Sequence, residues 1–264
     1  MLSNSIYATT DVLPVAGLGR LAEHLPIAWI EQALDATGTA SIRRRRLPAE
    51  QVVWLVIALA LYRRQSMPKV LTMLDLALSA SSVQPVSKSA VTQARQRLGA
   101  KPLAQLFDQT ARAWCQQDAA HHAWKGLLLW AIDGTTFRTP DSADNRAHFG
   151  AQAYASGKVA SYPQVRAVSV TAIPSHLVSD IAFGEDGQNE MLYAKTPVGR
   201  IANHSLTVFD RGFLCAEILF GLTQDGKERI LLTSLLDRRC FRAEALAECY
   251  RRRWEIETSY SELK

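Results

Sequence analysis

Two aspartates in the second half of the sequence each close a short apolar run. Asp133 ends the run "LLLWAID" and Asp210 ends the run "LTVFD". In open α/β sheets, functional groups collect at the carboxyl ends of the strands, so two aspartates at such ends on adjacent strands are expected to converge. A single aspartate of this kind is more often a turn or helix-cap residue. The pair, rather than either residue alone, therefore indicates a site.

A third acidic residue belongs to the segment "ECYRRRWEIETSYSELK". On a helix, at about 100° per residue, four side chains of this segment share a stripe roughly 60° wide. They are Tyr250, Arg253, Glu257 and Lys264. The apolar face beside this stripe comprises Cys249, Ile256, Tyr260 and Leu263. Glu257 is therefore predicted to face the protein, where a carboxylate must be paired or must bind a metal ion.

Together these carboxylates predict a metal site. If the carboxylates of Asp133, Asp210 and Glu257 lie within a few ångströms of one another, they cannot all ionise without a bound cation, because each negative charge raises the pKa of the others. Divalent cations remove that penalty, and oxygen ligands at an open site select Mg²⁺ or Mn²⁺.

Arg253 precedes Glu257 by one helical turn and could hold either that carboxylate or a phosphate group. A structural Arg–Glu pair on a helix surface is the common alternative. That alternative does not explain why the pair shares a stripe with Tyr250 and Lys264.

The secondary structure that the sequence indicates changes near residue 120. Before it, segments such as "VVWLVIALALY" and "SKSAVTQARQRLGAKPLAQLFDQTARAWCQQ" are helical in pattern, with Gly38 and Gly99 as stop signals. After it come short apolar runs in the order strand, strand, strand, helix, strand, helix, strand, helix. We predict a helical domain over residues 1–120 and an α/β domain over residues 121–264 whose sheet has mixed strand directions.

Charge and composition are compatible with a polyanionic partner. The chain has 264 residues, 48% of them hydrophobic, and a formal net charge of +5. The segments "SIRRRRLP" and "YRRRW" hold seven of the arginines, which suits contact with phosphates. A solvated surface is the alternative for either run alone. The first run contains Arg43, Arg44, Arg45 and Arg46.

The same composition argues against several other classes. Four scattered cysteines without CxxC or zinc spacing favour a reducing cytoplasm and neither disulfides nor a His/Cys metal site. The first residues lack the features of a signal peptide. The longest apolar run has 11 residues, short of the ~20 of a membrane span. We expect a cytoplasmic protein with no membrane partner.

Two, three and six residues separate Tyr250, Arg253, Glu257 and Lys264 in turn. This spacing resembles the signature of the bacterial insertion-sequence DDE transposases of the insertion-element-four type. The segments "AIDGTTFR" and "TVFDRGF" resemble the two aspartate motifs of that family. The N-terminal half, including "SAVTQARQRLG", resembles its helical DNA-binding domain. The resemblance covers nearly the whole chain.

The resemblance implies a ribonuclease-H-like mixed sheet with flanking helices, preceded by an all-α DNA-binding domain. It implies that Asp133, Asp210 and Glu257 are catalytic and bind two Mg²⁺ or Mn²⁺ ions. Arg253 and Lys264 would contact phosphates, and Tyr250 would position the DNA backbone. The implied partner is double-stranded DNA, both transposon terminal inverted repeats and target, with a homodimer in the synaptic complex. The implied location is the bacterial cytoplasm, at the nucleoid through DNA.

Two departures from the family pattern predict a shortened copy. Only 46 residues separate Asp210 from Glu257, where the family usually carries a long β-rich insertion. Loss of this insertion would remove the contacts that the family makes through it to the cleaved transposon end and would affect hairpin chemistry. The chain also stops at Lys264, where the family normally continues, and a helix that stops there is expected to fray.

The segment "PVSKSAVTQARQRLG" is predicted to be a helix that reads DNA. Ser87 or Ser89 is expected near the N-cap. The inward residues are Ala90, Val91, Ala94 and Leu98, and the outward residues are Lys88, Thr92, Gln93, Arg95 and Gln96. It could be the second helix of a helix-turn-helix unit that contacts DNA through Lys88 and Arg95. An ordinary bundle helix is the alternative.

Three functions remain open from the sequence. The first is a DDE transposase that cuts and joins DNA strands. The second is a non-catalytic DNA-binding relic that occupies transposon ends and inhibits the intact enzyme. The third is a ribonuclease-H-like nuclease without strand transfer.

Overall fold

The computed structural model describes residues 15–40, 47–78, 87–151, 160, 162–209, 211–213, 230–231, 240 and 242–263. Several sequence predictions fall outside them, namely Arg43 to Arg46, Asp210, Lys264 and the helical segment "LCAEILFGLTQDG". The chain divides into two compact units, Met1–Thr110 and Ala111–Lys264, and the division falls within a helix.

The described secondary-structure elements of the first unit are helices, joined by short turns. Its helices are α1 (Val15–His24), α2 (Ile27–Ala36), α3 (Ala49–Leu61), α4 (Met67–Leu78), α5 (Lys88–Leu98) and the first half of α6 (Lys101–His121). Gly38 and Gly99 follow α2 and α5 with φ of 67°, a left-handed conformation that glycine adopts at helix ends. Helices α1 and α2 are separated at Pro26, because proline cannot donate the hydrogen bond that would continue α1.

Helix α3 forms the centre of this unit. It is the apolar run of the sequence, and apolar residues on most of its circumference are buried. Leu55, at 0% exposure, packs in one cluster with Leu18, Ile30 and Val91, which come from three other helices. The unit therefore has a hydrophobic core of its own.

The second unit is built on a mixed sheet, as predicted. Its strands are β1 (Leu128–Arg138), β2 (Gln164–Ala172), β3 (Val178–Glu185), β4 (Ser205–Phe209) and the short β5 (Ile230–Leu231), in the order β3-β2-β1-β4-β5. The β1–β2 and β2–β3 pairs are antiparallel, whereas β1–β4 and β4–β5 are parallel. The helices are α7 (Ala143–Phe149), α8 (Glu190–Gly199), α9 (Ala243–Arg251) and α10 (Glu255–Leu263). Helix α7 was not among the predicted elements.

Both faces of the sheet are covered, and this explains the continuous apolar runs of its strands. Trp130 and Ile132 pack on one face in a cluster with Val198 of α8. Leu129 and Ala131 pack on the other face in a cluster that includes Cys249, Ile256 and Tyr260 of α9 and α10. Because side chains alternate along a strand, Asp133 belongs to the face covered by α10.

Two predictions about local structure need correction. Strand β1 does not end at Asp133 but runs on to Arg138, because its pairing with β2 continues to the register pair Arg138↔Gln164. The segment from Tyr250 onward is not one helix, since a 3₁₀ turn (Arg252–Trp254) separates α9 from α10. A 3₁₀ turn winds at three residues per turn, so the stripe drawn at 100° per residue does not hold across it.

No helix in the described part of the chain is both long and apolar enough to cross a membrane.

Candidate functional site

Asp133 lies directly after the part of β1 that is described as paired with β4. Among the described residues, the last pair between these strands is Ile132↔Phe209, so Asp133 is the next residue along β1. Its Oδ1 accepts a hydrogen bond of 2.8 Å from the backbone N–H of Gly134. Asp210 follows Phe209 in the sequence but lies outside the described residues. The convergence of Asp133 and Asp210 therefore stays a prediction.

Tyr260 connects α10 to β1 through a hydrogen bond at Asp133. Its hydroxyl lies 2.5 Å from the carbonyl oxygen of Asp133 and 2.9 Å from Oγ of Ser169. Since a carbonyl can only accept, Tyr260 donates to Asp133 and accepts from Ser169. Burial raises the pKa of Tyr260 far above its ordinary value, so the phenol keeps the proton that it donates. Sequence reasoning placed Tyr260 on the apolar face and overlooked its hydroxyl, although a buried tyrosine usually has a hydrogen-bond partner.

Glu257 lies three residues before Tyr260, on the next turn of α10 toward the helix start. Its side chain is exposed, whereas the sequence analysis predicted that it would face the protein. The 3₁₀ turn and the anchoring of Ile256 and Tyr260 in the core account for this difference, since they direct the intervening residues outward. Glu257 is therefore at the surface beside the strand and open to solvent.

The pKa of Asp133 reports which charges surround it. Burial is the largest cause that raises this pKa above its ordinary value, and the carboxylates of Glu257 and Glu190 raise it further. The N–H of Gly134 and the guanidinium of Arg253 lower it. Among the described residues, Asp133 is thus half-buried near the carboxylates of Glu257 and Glu190, and the guanidinium of Arg253 partly compensates its charge.

Arg253 is the cation of this group, and it is only 6% exposed. Its guanidinium carbon lies 4.8 Å from the ring centroid of Trp254 and 5.9 Å from that of Tyr250. Trp254 is 56% exposed and Tyr250 is half-buried. The two aromatic rings therefore lie beside the guanidinium charge of Arg253 that lowers the pKa of Asp133. Contacts of Tyr250 or Arg253 with DNA stay predictions.

Glu190 is the residue that sequence reasoning missed. It is the first residue of α8, after the N-cap Asn189, and it reaches the site from the face of the sheet opposite α10. A Cβ built on Gly134 would lie 2.6 Å from its carboxyl carbon. The available signal was the glycine directly after Asp133, because glycine inside a strand often marks a close approach.

The residues present fit a divalent cation. The donors around Asp133 are carboxylate oxygens, which suit Mg²⁺ or Mn²⁺, and their mutual repulsion is the penalty that a cation would remove. Within the described residues, no three His, Cys, Asp or Glu side chains are grouped closely enough to hold a metal ion, and Asp210 is not among those residues.

The predicted DNA-reading helix is α5. Oγ of Ser87 accepts a hydrogen bond of 3.2 Å from the N–H of Ala90, which confirms Ser87 as the N-cap. Of the predicted inward residues, Val91, Ala94 and Leu98 are buried, and Ala90 is half-buried. The predicted outward residues are exposed, including Lys88 and Arg95. Their contact with DNA stays a prediction.

Comparisons with known proteins show the family of both halves. Residues 15–108 match the insertion element 4 transposase N-terminal family, and residues 124–264 match the transposase DDE domain family. The chain is 34% identical over 224 residues to the putative transposase InsZ of Escherichia coli (strain K12), covering 84% of this chain and 73% of that protein. It is 30% identical over 306 residues to the transposase InsG for insertion sequence element IS4 of the same strain, covering 94% of this chain and 68% of that protein.

The InsG alignment is longer than the 264 residues of this chain, so InsG contains residues that have no counterpart here. No solved structure matches the chain significantly. The matches over both halves, together with the identity to two transposases, establish that the chain belongs to the insertion-element-four type of DDE transposases.

Proposed function

We propose that this chain cleaves DNA strands at the ends of an insertion sequence and joins them to target DNA in a metal-dependent reaction. The observation that carries the proposal is the arrangement at Asp133. Asp133 follows the last described β1–β4 pair. The hydroxyl of Tyr260 donates to the backbone carbonyl oxygen of Asp133 and so holds the helix that bears Glu257 against the strand. A sheet with three antiparallel strands, then parallel β4 and β5, and helices on both faces supports a ribonuclease-H-like core.

We assign the catalytic carboxylates as Asp133, Asp210 and Glu257, which would hold two Mg²⁺ or Mn²⁺ ions. When bound, the ions supply Lewis-acid stabilisation of the attacking and leaving oxygens. The N–H of Gly134 orients the carboxylate of Asp133, and Tyr260 holds α10 at the strand. Arg253 offsets part of the negative charge around Asp133.

We assign double-stranded DNA as the partner, both the terminal inverted repeats and the target, bound in a synaptic homodimer. The net charge of +5 and the exposure of Lys88 and Arg95 on α5 support this assignment. The proposed contact residues are Lys88, Arg95, Arg43, Arg44, Arg45, Arg46, Tyr250, Arg253 and Lys264.

We infer that the catalytic domain lacks the β-rich insertion before Glu257. The 46 residues between Asp210 and Glu257 and the longer InsG alignment support this inference. The comparisons do not favour the alternative of a non-catalytic relic, since two transposases are similar over most of this chain.

The direct test is cleavage of a supercoiled plasmid that carries the gene together with its natural flanking DNA. We expect nicks with 3′-hydroxyl ends in Mg²⁺ or Mn²⁺ and none in EDTA, followed by joining of those ends to a second DNA. Mapping the nicks by primer extension should place them at the inverted repeats. Nicks without joining would indicate a nuclease, DNA binding without nicks would indicate a relic, and nicking in EDTA would contradict the metal-dependent reaction.

DNA affinity is expected to fall steeply with salt. Each neutralised phosphate contributes about 0.9 decades of affinity per decade of salt, so replacing Arg43 to Arg46 with glutamine should lower that slope by up to about 3.6. Replacing Lys88 and Arg95 should lower it by up to about 1.8. The measurement is a fluorescence-anisotropy titration of labelled duplex at several salt concentrations.

Arg97 provides the matched control on the same helix. It is exposed like Arg95 but lies about 200° away around α5, so Arg97→Gln should leave the slope closer to that of the parent. If all the variants keep the parent's slope and affinity, the DNA surface lies elsewhere on the chain.

A further inference from the structure

We propose that Glu190 is a fourth carboxylate of the Asp133 site, held against Gly134 by Arg166, and that it strengthens the binding of a divalent cation there. This inference rests on the metal dependence of the proposed function. It adds a residue that comes from the opposite face of the sheet to the three acidic residues of the family motif.

The first support is the close approach between Glu190 and β1. A Cβ at position 134 would lie 2.6 Å from Cδ of Glu190 and 2.8 Å from each of its carboxylate oxygens. Such distances are shorter than side-chain contacts allow, so the carboxylate occupies the space that any other residue at position 134 would fill. Glu190 therefore lies directly over the strand, one residue from Asp133.

The second support is the clamp that fixes this position. Nη1 of Arg166 donates to Oε1 of Glu190 at 2.8 Å. The same guanidinium donates from Nε to the carbonyl oxygen of Asp186 at 2.9 Å, and its Nη2 lies 3.3 Å from Oδ1 of Asp186. Asp186 is only 6% exposed, so the fork of Arg166 is anchored in the turn before α8. A carboxylate held in this way is preorganised and loses little side-chain freedom when a cation binds nearby.

The third support is that one carboxylate oxygen of Glu190 accepts no hydrogen bond from the described residues. In the described part of the chain, Oε1 of Glu190 accepts a hydrogen bond and Oε2 does not, although both oxygens are equally close to Gly134. The side chain is 36% exposed, so water reaches it. Glu190 also acts on Asp133 electrostatically, as Glu257 does from the other face. We therefore expect Glu190 to act on a cation at Asp133 through water rather than as a direct ligand, since the described carboxylates are not grouped closely enough to share an ion directly.

A purely structural role for the Arg166–Glu190 pair makes a different prediction. In that case the loss of Glu190 would change the free energy of unfolding and leave cation affinity unaltered. Cation affinity in the absence of DNA therefore separates the two roles, and it does not depend on activity.

The experiment is a Mn²⁺ titration of the full chain, with free Mn²⁺ measured by its electron paramagnetic resonance signal. We expect Glu190→Gln, which keeps the size of the side chain, to weaken Mn²⁺ binding by about tenfold, the lower end of the loss typical of outer-shell ligands. Glu185→Gln removes the same charge from an exposed residue at the end of β3 and should leave the affinity unchanged. Asp133→Asn should abolish binding at this site.

A second variant tests the close approach itself. Gly134→Ala should displace the terminal carboxylate of Glu190 from its hydrogen bond with Arg166, because a side-chain end moves more easily than the strand, and it should weaken Mn²⁺ binding to a similar extent. In the Glu190→Gln background the same change should have no further effect, because the charge that it displaces is already absent.

Several results would overturn the proposal. Parent-like Mn²⁺ affinity in Glu190→Gln, with binding lost in Asp133→Asn, would remove Glu190 from the site and leave the proposed function standing. Fully additive effects of Gly134→Ala and Glu190→Gln would show that the two residues act separately. If the parent itself did not bind Mn²⁺, both this inference and the metal dependence of the proposed function would fail.

Discussion

Asp133→Asn is expected to slow metal-dependent DNA cleavage by about a thousandfold while the protein stays folded. Stabilisation of the attacking and leaving oxygens by bound cations contributes several kcal/mol, and that contribution is lost with a carboxylate that holds them. Asparagine keeps an oxygen that can accept the hydrogen bond of 2.8 Å from Gly134, so the local backbone should be preserved. The measurement is the rate of plasmid nicking under single-turnover conditions.

The same variant should be more stable than the parent when no metal is present. The pKa of Asp133 is raised above its ordinary value of 3.8, chiefly by burial, so ionisation of this group destabilises the metal-free fold. The contribution of Asp133 to stability is therefore fully present below about pH 3.8 and is lost as pH rises through the raised pKa. In EDTA, the advantage of Asp133→Asn in melting temperature should grow with pH over that range.

The control for both measurements is Glu248→Gln. Glu248 is an exposed acidic residue of α9, paired with Arg251, and does not act on Asp133. The Glu248→Gln variant should nick DNA at nearly the parent's rate, and its melting temperature should depend on pH as the parent's does. Nicking by Asp133→Asn at the parent's rate would exclude Asp133 from the catalytic residues.

Ile256→Ala is expected to lower the free energy of unfolding of the catalytic unit by about 2–5 kcal/mol, as for other large-to-small changes in protein cores. Ile256 is 2% exposed and packs with Leu206, Val208 and Tyr260, so its removal leaves a cavity between α10 and the sheet. Tyr260→Phe should cost less, about 1–3 kcal/mol, because packing is retained and only the hydrogen bonds to Asp133 and Ser169 are lost. The measurement is urea unfolding followed by circular dichroism.

Thr258 offers a control on the same helix. It is exposed, so Thr258→Ala should change the free energy of unfolding by less than about 0.5 kcal/mol. If Ile256→Ala were as mild as Thr258→Ala, α10 would not be packed on the sheet, and the position assigned to Glu257 would lose its support.

Local features of this protein could be predicted because they depend on residues close together in the chain. The N-cap at Ser87 and the end of α5 at Gly99 follow from the hydrogen-bonding capacity of serine and the backbone freedom of glycine. The strands β1 to β4 follow from short apolar runs, and their mixed directions follow from the order of strands and helices. The family followed from the spacing of Tyr250, Arg253, Glu257 and Lys264, which is also a local pattern.

The errors at the end of the chain arose where an ideal helix was assumed. A wheel at 100° per residue predicted that Glu257 faces the protein, but the 3₁₀ turn Arg252–Trp254 alters the rotation. Packing of Ile256 and Tyr260 against the sheet then sets the orientation of α10 and leaves Glu257 exposed. No pattern in the sequence identified that turn.

Most elements, the family and the candidate carboxylates could be identified without coordinates, because residue periodicity and spacing carry that information directly. Only the tertiary structure brought Glu190 to Asp133, which lies 57 positions earlier in the chain. It did so because β2 and β3 pair beside β1, Arg166 of β2 reaches the start of α8, and the missing side chain of Gly134 leaves room for a carboxylate. A contact of this kind depends on distances between strands and helices in three dimensions, and these distances are not encoded in any local pattern of residues.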